Sequence, residues 1–415
     1  MKTWHVLRYL ADKGHEITLA SFVRDEEEKY VDELRLVCAE VFTVPIHRSR
    51  RADLLYWIRS VFSGRPFLVE RDDIPAMRSL VRDLMQTGSY DVVHADQLTM
   101  TQFVLPRKLG SADKDKLHPA GASETIGNLR DTPRSKDRTI LIFDAHNAVW
   151  TIMKRMQEMS RLFLRPFLSK ESKRMKAYEG MIVHNFDHTL AVSEIDHQAL
   201  STAEQEYSKI AGLNGRKPDS ISVIPIAVDV SAYQRIAPRY SNASILAIGT
   251  LHYPPNADGV RWLIHDVFPS VREQIPGATL TIVGKNPPSD LVRKARSMSD
   301  AVTVTGYVPD LQPYLDAADI MVVPVHAGGG MRVRILEGMA WGIPMVTTTK
   351  GLEGIAAVPG RDILIADDVV GFTQAVCSLL ESKDLRSKIS SNGFKLVKQR
   401  YDWRVVLSEL DRIYV

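Results

Sequence analysis

Nearly continuous apolar runs alternate along this chain with longer stretches whose apolar residues recur at helical spacing. Runs of that kind, bounded by turn residues, read as strands buried on both faces. Their alternation with helices predicts α/β architecture with parallel sheets. An opening helix pattern (Trp4, Leu7 and Leu10 apolar, ending near Gly14) comes first. Strands are then predicted at HEITLASF (15–22), EVFTVPI (40–46), DVVHAD (91–96), TILIFDAH (139–146), HTLAVS (188–193) and SISVIPIAV (220–228). A second series comprises SILAIGTL (244–251), ATLTIVG (278–284), VTVTGYV (302–308), DIMVVPV (319–325), PMVTTT (344–349) and DILIAD (362–367). Helices such as 257–275, 289–298 and 309–317 separate these strands. Two Rossmann-like halves are therefore expected, 1–238 and 239–400, followed by a terminal helical segment, 401–415.

The opening departs from that pattern. A Rossmann half normally begins with a strand in the middle of its sheet, ending in a glycine-rich loop. Here the first element is the helix that should follow such a strand. The expectation is a start site further upstream rather than a lost strand, because losing a central strand leaves buried backbone groups unpaired, at about 1–3 kcal/mol each. Residues 107–138 contain few large apolar residues and many charges, and read as a flexible insertion between two strands. Their DKD at 113–115 has the form of a metal-binding Asp-x-Asp motif but lacks flanking strands, so no metal site is expected.

The chain of 415 residues is long enough for two cores, and 45% apolar with 25% charged residues is ordinary for a globular protein. A net charge of +3 is too small at this length to argue for nucleic acid. Cys38 and Cys377 are far apart and flank no metal-like spacing, which suits a reducing cytoplasm. No apolar run approaches the roughly 18 residues that span a bilayer. Arg8, Asp12 and Lys13 rule out a signal-peptide core in the opening segment.

The richest chemistry lies in VPVHAGGGMRVRILEGMAWGIPMV, residues 323–346. A buried strand, three glycines (Gly328, Gly329, Gly330) and a helix running to about Trp341 make an anion site, because glycines let the backbone approach a phosphate and a helix amino end favours negative charge. Arg332 and Arg334 fall in the expected first turn, where a cation is disfavoured unless an anion is bound. Glu337 lies one turn after Arg334, a carboxylate in an otherwise apolar segment. The pattern suits a nucleotide diphosphate. A plain flexible βα connection with solvated arginines is the competing reading.

This segment resembles the donor-binding signature of the retaining family 4 glycosyltransferases of GT-B fold, in which two Rossmann-like domains face each other across a cleft. The matching residues are Arg334, Glu337, Gly342 and Pro344. The family often has a further glutamate eight residues before the second one, at the place of Gly329 here. In many relatives an arginine and a lysine near Gly249 hold the donor phosphates. Here Thr250 and Asn256 occupy that loop, and Arg261 is the nearest cation. GYVPDLQPYLDAADIMVVP (306–324) closely resembles the family's approach to the donor loop, and QRYDWRVVLSELDRIYV resembles its last helix, which crosses back to the N-terminal domain. VSE at 192–194 resembles the family's strand-to-helix turn, with Ser193 as an N-cap. Ile226 and Ala227 replace a usual Asn-Gly pair.

The resemblance implies transfer of a hexose-like sugar from a nucleotide-diphosphate sugar to an acceptor hydroxyl, on a lipid-linked glycan or exopolysaccharide precursor. It implies retention of configuration, no dedicated metal and no cofactor beyond the donor substrate. Donor contacts are expected from Gly249, Gly284, Lys285, Tyr307, Gly328, Gly329, Gly330, Met331, Arg332, Arg334 and Glu337, closed off by Thr347, Thr348 and Gly351. Catalytic roles fall to Arg334, Glu337 and His146. His146 stands with Asp144 and Asn147 at a strand end and would orient the donor sugar. Asp91, His94 and Asp96 are candidate acceptor contacts. Two basic amphipathic stretches, 47–67 and 153–176, either pack on their own sheet or dock loosely on the inner face of an anionic membrane. An epimerase or hydrolase on the same fold, or a non-catalytic nucleotide-sugar-binding protein, remain alternatives.

Overall fold

The computed structural model describes residues 2–105, 139–160, 162–213, 220–236, 242–328 and 330–414. The expected insertion at 107–138, with its DKD, and Gly329 lie outside the described residues. Two compact units form: Met1–Pro225 with Leu407–Val415, and Ile226–Val406. The chain from Ile226 to Ile236, expected in the first half, falls in the second unit, where the Val228 N–H donates to the Tyr401 carbonyl (2.9 Å) and the Trp403 N–H to the Val228 carbonyl (3.0 Å).

The first unit opens on α1 (Lys2–Asp12), then β1 (Thr18–Val23) and β2 (Glu40–Pro45). There follow α2 (Arg50–Ser63), α3 (Pro75–Thr87), β3 (Val92–Asp96), β4 (Ile140–Ala145), α4 (Val149–Met159), α5 (Arg165–Asn185), β5 (His188–Ala191), α6 (Glu194–Ala211) and β6 (Ile221–Val223). Every pairing is parallel, yet the strands make two separate sheets, β1-β2 and β3-β4-β5-β6. The main core packs α5 against β4 and β5 through Phe143, Met175, Ile182, Phe186 and Ala191. Gly180 lets α5 approach α6 closely, since a Cβ there would lie 2.2 Å from the Ala203 carbonyl oxygen.

The second unit holds β7 (Ser244–Ile248), α7 (Pro254–Trp262), β8 (Thr279–Val283), α8 (Ser289–Arg296), β9 (Val302–Gly306), α9 (Gln312–Ala317), β10 (Ile320–Val323), α10 (Val333–Trp341), β11 (Met345–Thr347), β12 (Leu364–Ile365), α11 (Val369–Glu381) and α12 (Lys383–Arg400). Its single parallel sheet runs β12-β11-β10-β7-β8-β9. Both faces are covered, which explains the unbroken apolar runs. Ile245, Ala247, Leu280, Ile282, Ile320 and Val322 face one core. Leu246, Val283, Met321, Val323 and Met345 face the other. The helix expected over 257–275 is realised as α7, a π-helical turn at Leu263–Val267 and a further α-helical piece, Phe268–Gln274. Pro269 lacks the N–H an unbroken helix would need, and the π turn absorbs it.

Strand order in this sheet reverses between β7 and β10. Loops after the carboxyl ends of the two strands part there, leaving the crevice where open α/β sheets hold ligands.

Candidate functional site: the β7–β10 switch point and the β3–β4 strand ends

Strand register brings the predicted donor residues to one edge. Val322 pairs with Ala247, Ile248 with Val283 and Val283 with Gly306, so Pro324, Gly249, Gly284 and Tyr307 end four adjacent strands at one level. Gly284 is needed for packing: a Cβ there would lie 2.0 Å from the Gly249 carbonyl oxygen. Lys285 and Tyr307 are exposed at this edge.

The loop after β10 is built on glycines in the left-handed region. Gly328 and Gly330 hold φ of +96° and +81°, a conformation that only glycine adopts readily. Helix α10 starts at Val333, later than the glycine spacing suggests, with Arg332 at its N-cap. That placement separates the two arginines. Arg332 Nη1 donates to the Gly330 carbonyl (3.1 Å) and Nη2 to the Ala327 carbonyl (3.2 Å), so Arg332 buttresses the loop from inside. Arg334 lies in the first turn of α10, a third exposed, with Nη1 2.9 Å from Glu337 Oε2. Glu337 is 7% exposed and also accepts from the Tyr233 hydroxyl at 3.4 Å. Burial pushes the Glu337 carboxyl up, partly offset by Arg334 and the Tyr233 hydroxyl. The guanidinium has five donors in a fixed fork, so the bond to Glu337 leaves others for an oxyanion.

Neighbours of the loop are fixed from beneath. Met331 is buried in the core, and Thr347 and Thr348 are fully buried. The Thr347 hydroxyl donates to the Val323 carbonyl at 2.7 Å, and that of Thr348 donates to the Val325 carbonyl. These three residues hold the loop in place. The Gly351 N–H donates to Thr348 Oγ1 at 2.9 Å, on the same scaffold. Asn256 Nδ2 donates to the Thr250 carbonyl (3.2 Å), closing the loop after β7 on itself. Arg261 is paired with Asp290 (2.6 Å) and Asp258 (2.7 Å), whereas Lys285 is exposed at this edge. Sequence reading missed Tyr233 and Tyr253. The Tyr253 hydroxyl stands beside Gly328, 3.4 Å from where a Cβ would sit. Neither sequence segment signals these placements.

In the first unit, register pairs Asp96 with Asp144 across β3 and β4, so the two predicted clusters are one. His146 Nε2 lies 2.7 Å from Asp96 Oδ1, and the Thr3 hydroxyl donates to Asp96 Oδ2 at 2.9 Å. Asp144 is fully buried, ion-paired with Lys2, with His94 Nε2 at 3.6 Å. His94 also contacts the Tyr414 hydroxyl. Burial pushes the Asp144 carboxyl up, but Lys2 and His94 overcome it and hold it well below the usual range. Asp91 lies at the opposite end of β3, where its carbonyl accepts from the Ile140 N–H, so it is not part of this cluster. His94, Asp96 and Asp144 offer ligand atoms within 4.8 Å of one another, but Lys2 already sits on Asp144 and His146 on Asp96.

The turn after His146 is held by Glu179, which is fully buried and accepts from the Val149 (2.7 Å) and Trp150 (2.8 Å) N–H groups at the start of α4. Burial pushes this carboxyl up to about 8, from an ordinary 4.5. A raised native pKa means that the folded state keeps a proton the unfolded chain loses. The stability contribution is therefore present below pH 4.5 and is lost as pH rises through about 8. Glu179→Gln is expected to flatten the decline of melting temperature between these two pH values, measured by thermal unfolding at a series of pH values. An unchanged pH slope would contradict the assignment.

This pair of Rossmann-like units is the GT-B glycosyltransferase fold. Anabaena Alr3699/HepE in complex with UDP and glucose matches it at a TM-score of 0.60, with 14% identity, over 99% of this chain and 95% of that one. Residues 242–382 match the family model Glycosyl transferases group 1. An uncharacterized 44.6 kDa protein in the cps region of Klebsiella pneumoniae is 29% identical over 41% of this chain and 45% of its own length. The phosphatidyl-myo-inositol mannosyltransferase of Mycobacterium leprae is 27% identical over 48% of this chain and 52% of its own. The chain thus spans about half the length of the curated relatives it matches.

Proposed function

We propose that this protein is a glycosyltransferase that moves a sugar from a nucleotide-diphosphate donor to an acceptor hydroxyl, with retention and without a dedicated metal. The observation that carries the reading is the positive-φ glycine loop at the β7–β10 switch point, followed within one helical turn by the Arg334–Glu337 pair. Departure of a nucleotide diphosphate builds negative charge on its terminal phosphate. Preorganised donors aimed at that charge stabilise the transition state more than the ground state. Loop N–H groups and Arg334 supply the donors, and Glu337 holds the guanidinium in place while its carboxylate takes ribose hydroxyls. His146, its ring oriented by Asp96, serves the sugar and acceptor side. The complex of the Anabaena protein with UDP and glucose favours a uridine nucleotide sugar as the first donor to try. The test is product formation from nucleotide sugars with and without a hydroxyl acceptor. Acceptor-dependent glycoside supports transfer, whereas product of equal yield without acceptor would mean an epimerase or hydrolase instead.

The acceptor is proposed to be lipid-linked, reached from the cytoplasmic face of a membrane. Among the described residues no helix is long and apolar enough to cross a bilayer. Contrary to simple packing of its apolar stripe, α2 leaves Leu54, Leu55, Trp57, Ile58 and Phe62 exposed, the last at 86%. Leu162 and Phe163 are exposed too, and Trp57 meets Phe167 at 5.9 Å between ring centroids, which joins the two basic stretches into one surface. Arg51, Arg59, Arg165 and Lys170 of the same two stretches are exposed as well. Apolar side chains amid cations suit an anionic interface. Replacing Leu55, Phe62 and Phe163 together by Ser is expected to lower co-flotation with phosphatidylglycerol vesicles by at least about tenfold, since each buried apolar side chain contributes on the order of 1.5–3 kcal/mol. Equal flotation of variant and wild type would remove this surface from the account.

A further inference from the structure

The buried Asp144 carboxylate at the end of β4 is only half accounted for by its neighbours. Oδ1 takes the Lys2 ammonium, but Oδ2, buried as well, accepts no hydrogen bond from any described residue. A buried carboxylate oxygen left unmet is costly, and it asks for an explanation. Oδ2 faces His94 Nε2 across 3.6 Å, too far for a hydrogen bond. The other nitrogen of that ring, Nδ1, meets the Tyr414 hydroxyl. With the ring proton on Nδ1, Nε2 keeps its lone pair, and two acceptors then face each other with room for a cation between them. Metal bonds of about 2.1 Å to nitrogen and to oxygen span that gap at an angle of roughly 120°, near tetrahedral. Asp96 stands beside Asp144 in register and brings a third ligand atom within 4.8 Å of the other two. Among the described residues, this is the one place where three His, Cys, Asp or Glu side chains gather so closely.

We propose that His94 Nε2, Asp144 Oδ2 and Asp96 hold a divalent transition metal of the zinc class, with a fourth position left to water. The imidazole selects this class over magnesium and calcium, which take oxygen ligands. The contacts already on these side chains are those that metal ligands need around them. A metal-bound histidine donates its second ring N–H, here to Tyr414, and ligating carboxylates are themselves hydrogen-bonded. Thr3 and His146 do this for Asp96, and Lys2 does it for Asp144. Each carboxylate oxygen has two lone pairs, so Asp96 keeps these partners and still takes a metal. His94 and Asp96 are half-buried, which gives the metal a way in from solvent. Lys2 works against tight binding, because it already neutralises Asp144, so the metal is exchangeable. The site belongs to the first unit and the glycine loop to the second, and no part in neutralising a leaving phosphate is assigned to this metal.

Titration of the full chain with Zn²⁺, followed by calorimetry and by thermal unfolding, tests the site. One saturable site is expected, with the melting temperature raised by at least about 5 °C at about 100 times Kd. Mg²⁺ is expected to do neither. His94→Gln and Asp144→Asn are each expected to weaken Zn²⁺ binding at least about tenfold. His265→Gln, which changes an exposed histidine of the second unit, is expected to bind like wild type. His94→Gln leaves the Lys2–Asp144 pair intact, so it decides the matter even where Asp144→Asn fails to fold. The readout is metal binding itself, so the result is independent of sugar transfer. No saturable Zn²⁺ binding by the folded wild type, wild-type affinity in folded His94→Gln, or an equal response to Mg²⁺ would overturn the proposal.

Discussion

Arg334→Ala is expected to weaken binding of a nucleotide-diphosphate sugar, or transition-state stabilisation, by about 1.5–3 kcal/mol, the range of a charged hydrogen bond. That corresponds to roughly 10- to 150-fold in affinity or in kcat/KM. The prediction is specific to Arg334 because the other nearby arginines are committed: Arg332 to the Gly330 and Ala327 carbonyls, Arg261 to Asp290 and Asp258. Removing Arg334 also strips the buried Glu337 of its cation, leaving only the Tyr233 hydroxyl. A modest loss of stability should accompany the functional loss. Arg334→Lys keeps charge but loses the fork, and should recover only part of the binding. Donor titrations and steady-state kinetics on folded variants measure both effects. A folded Arg334→Ala protein with wild-type affinity and turnover would remove the residue from the site.

Gly259→Ala is expected to cost about 2–3 kcal/mol of stability, at the upper part of the range for overpacking. An added Cβ would lie 1.6 Å from the Pro324 carbonyl oxygen and 2.8 Å from its carbon. Those atoms are backbone, so the clash cannot be relieved by a rotamer change. Either α7 withdraws from β10 or the segment at Pro324 moves, and that segment carries the glycine loop. Melting temperature should fall by roughly 5–10 °C at the second unit's size, and donor affinity should fall with it. Thermal unfolding and donor titration on one sample separate this from a purely local change. Gly360→Ala is the control, because an added Cβ there meets nothing within 4 Å, although its φ of +75° carries some strain. Wild-type melting of Gly259→Ala would show that the close approach is not needed.

Legibility in the sequence followed how local each feature is. The twelve strands of the described residues could be read because parallel strands covered on both faces leave unbroken apolar runs such as DIMVV and ILIFDA. The glycine loop could be read because positive φ at Gly328 and Gly330 demands glycine. What escaped depends on contacts between distant segments. Arg332 and Arg334 look alike in sequence, but the start of α10 at Val333 turns one into the loop and leaves the other available. Tyr233 meets Glu337 from 104 positions away. The histidines of β3 and β4 looked like two clusters until parallel register set Asp96 beside Asp144. Likewise, the stripe of α2 has a readable period, but nothing local says whether its apolar side faces a core or water. That the strands of the first unit form two separate sheets required the fold.

The central claim is that the loop after β10 and the first turn of α10 bind a nucleotide diphosphate through Arg334. Calorimetric titration of the full chain with UDP, GDP and ADP, in parallel with Arg334→Ala, tests it most directly. The account predicts saturable binding of at least one nucleoside diphosphate by the wild type, weakened roughly 10- to 150-fold in the variant. Absence of binding by the folded wild type to all three, or equal binding by both proteins, would contradict it.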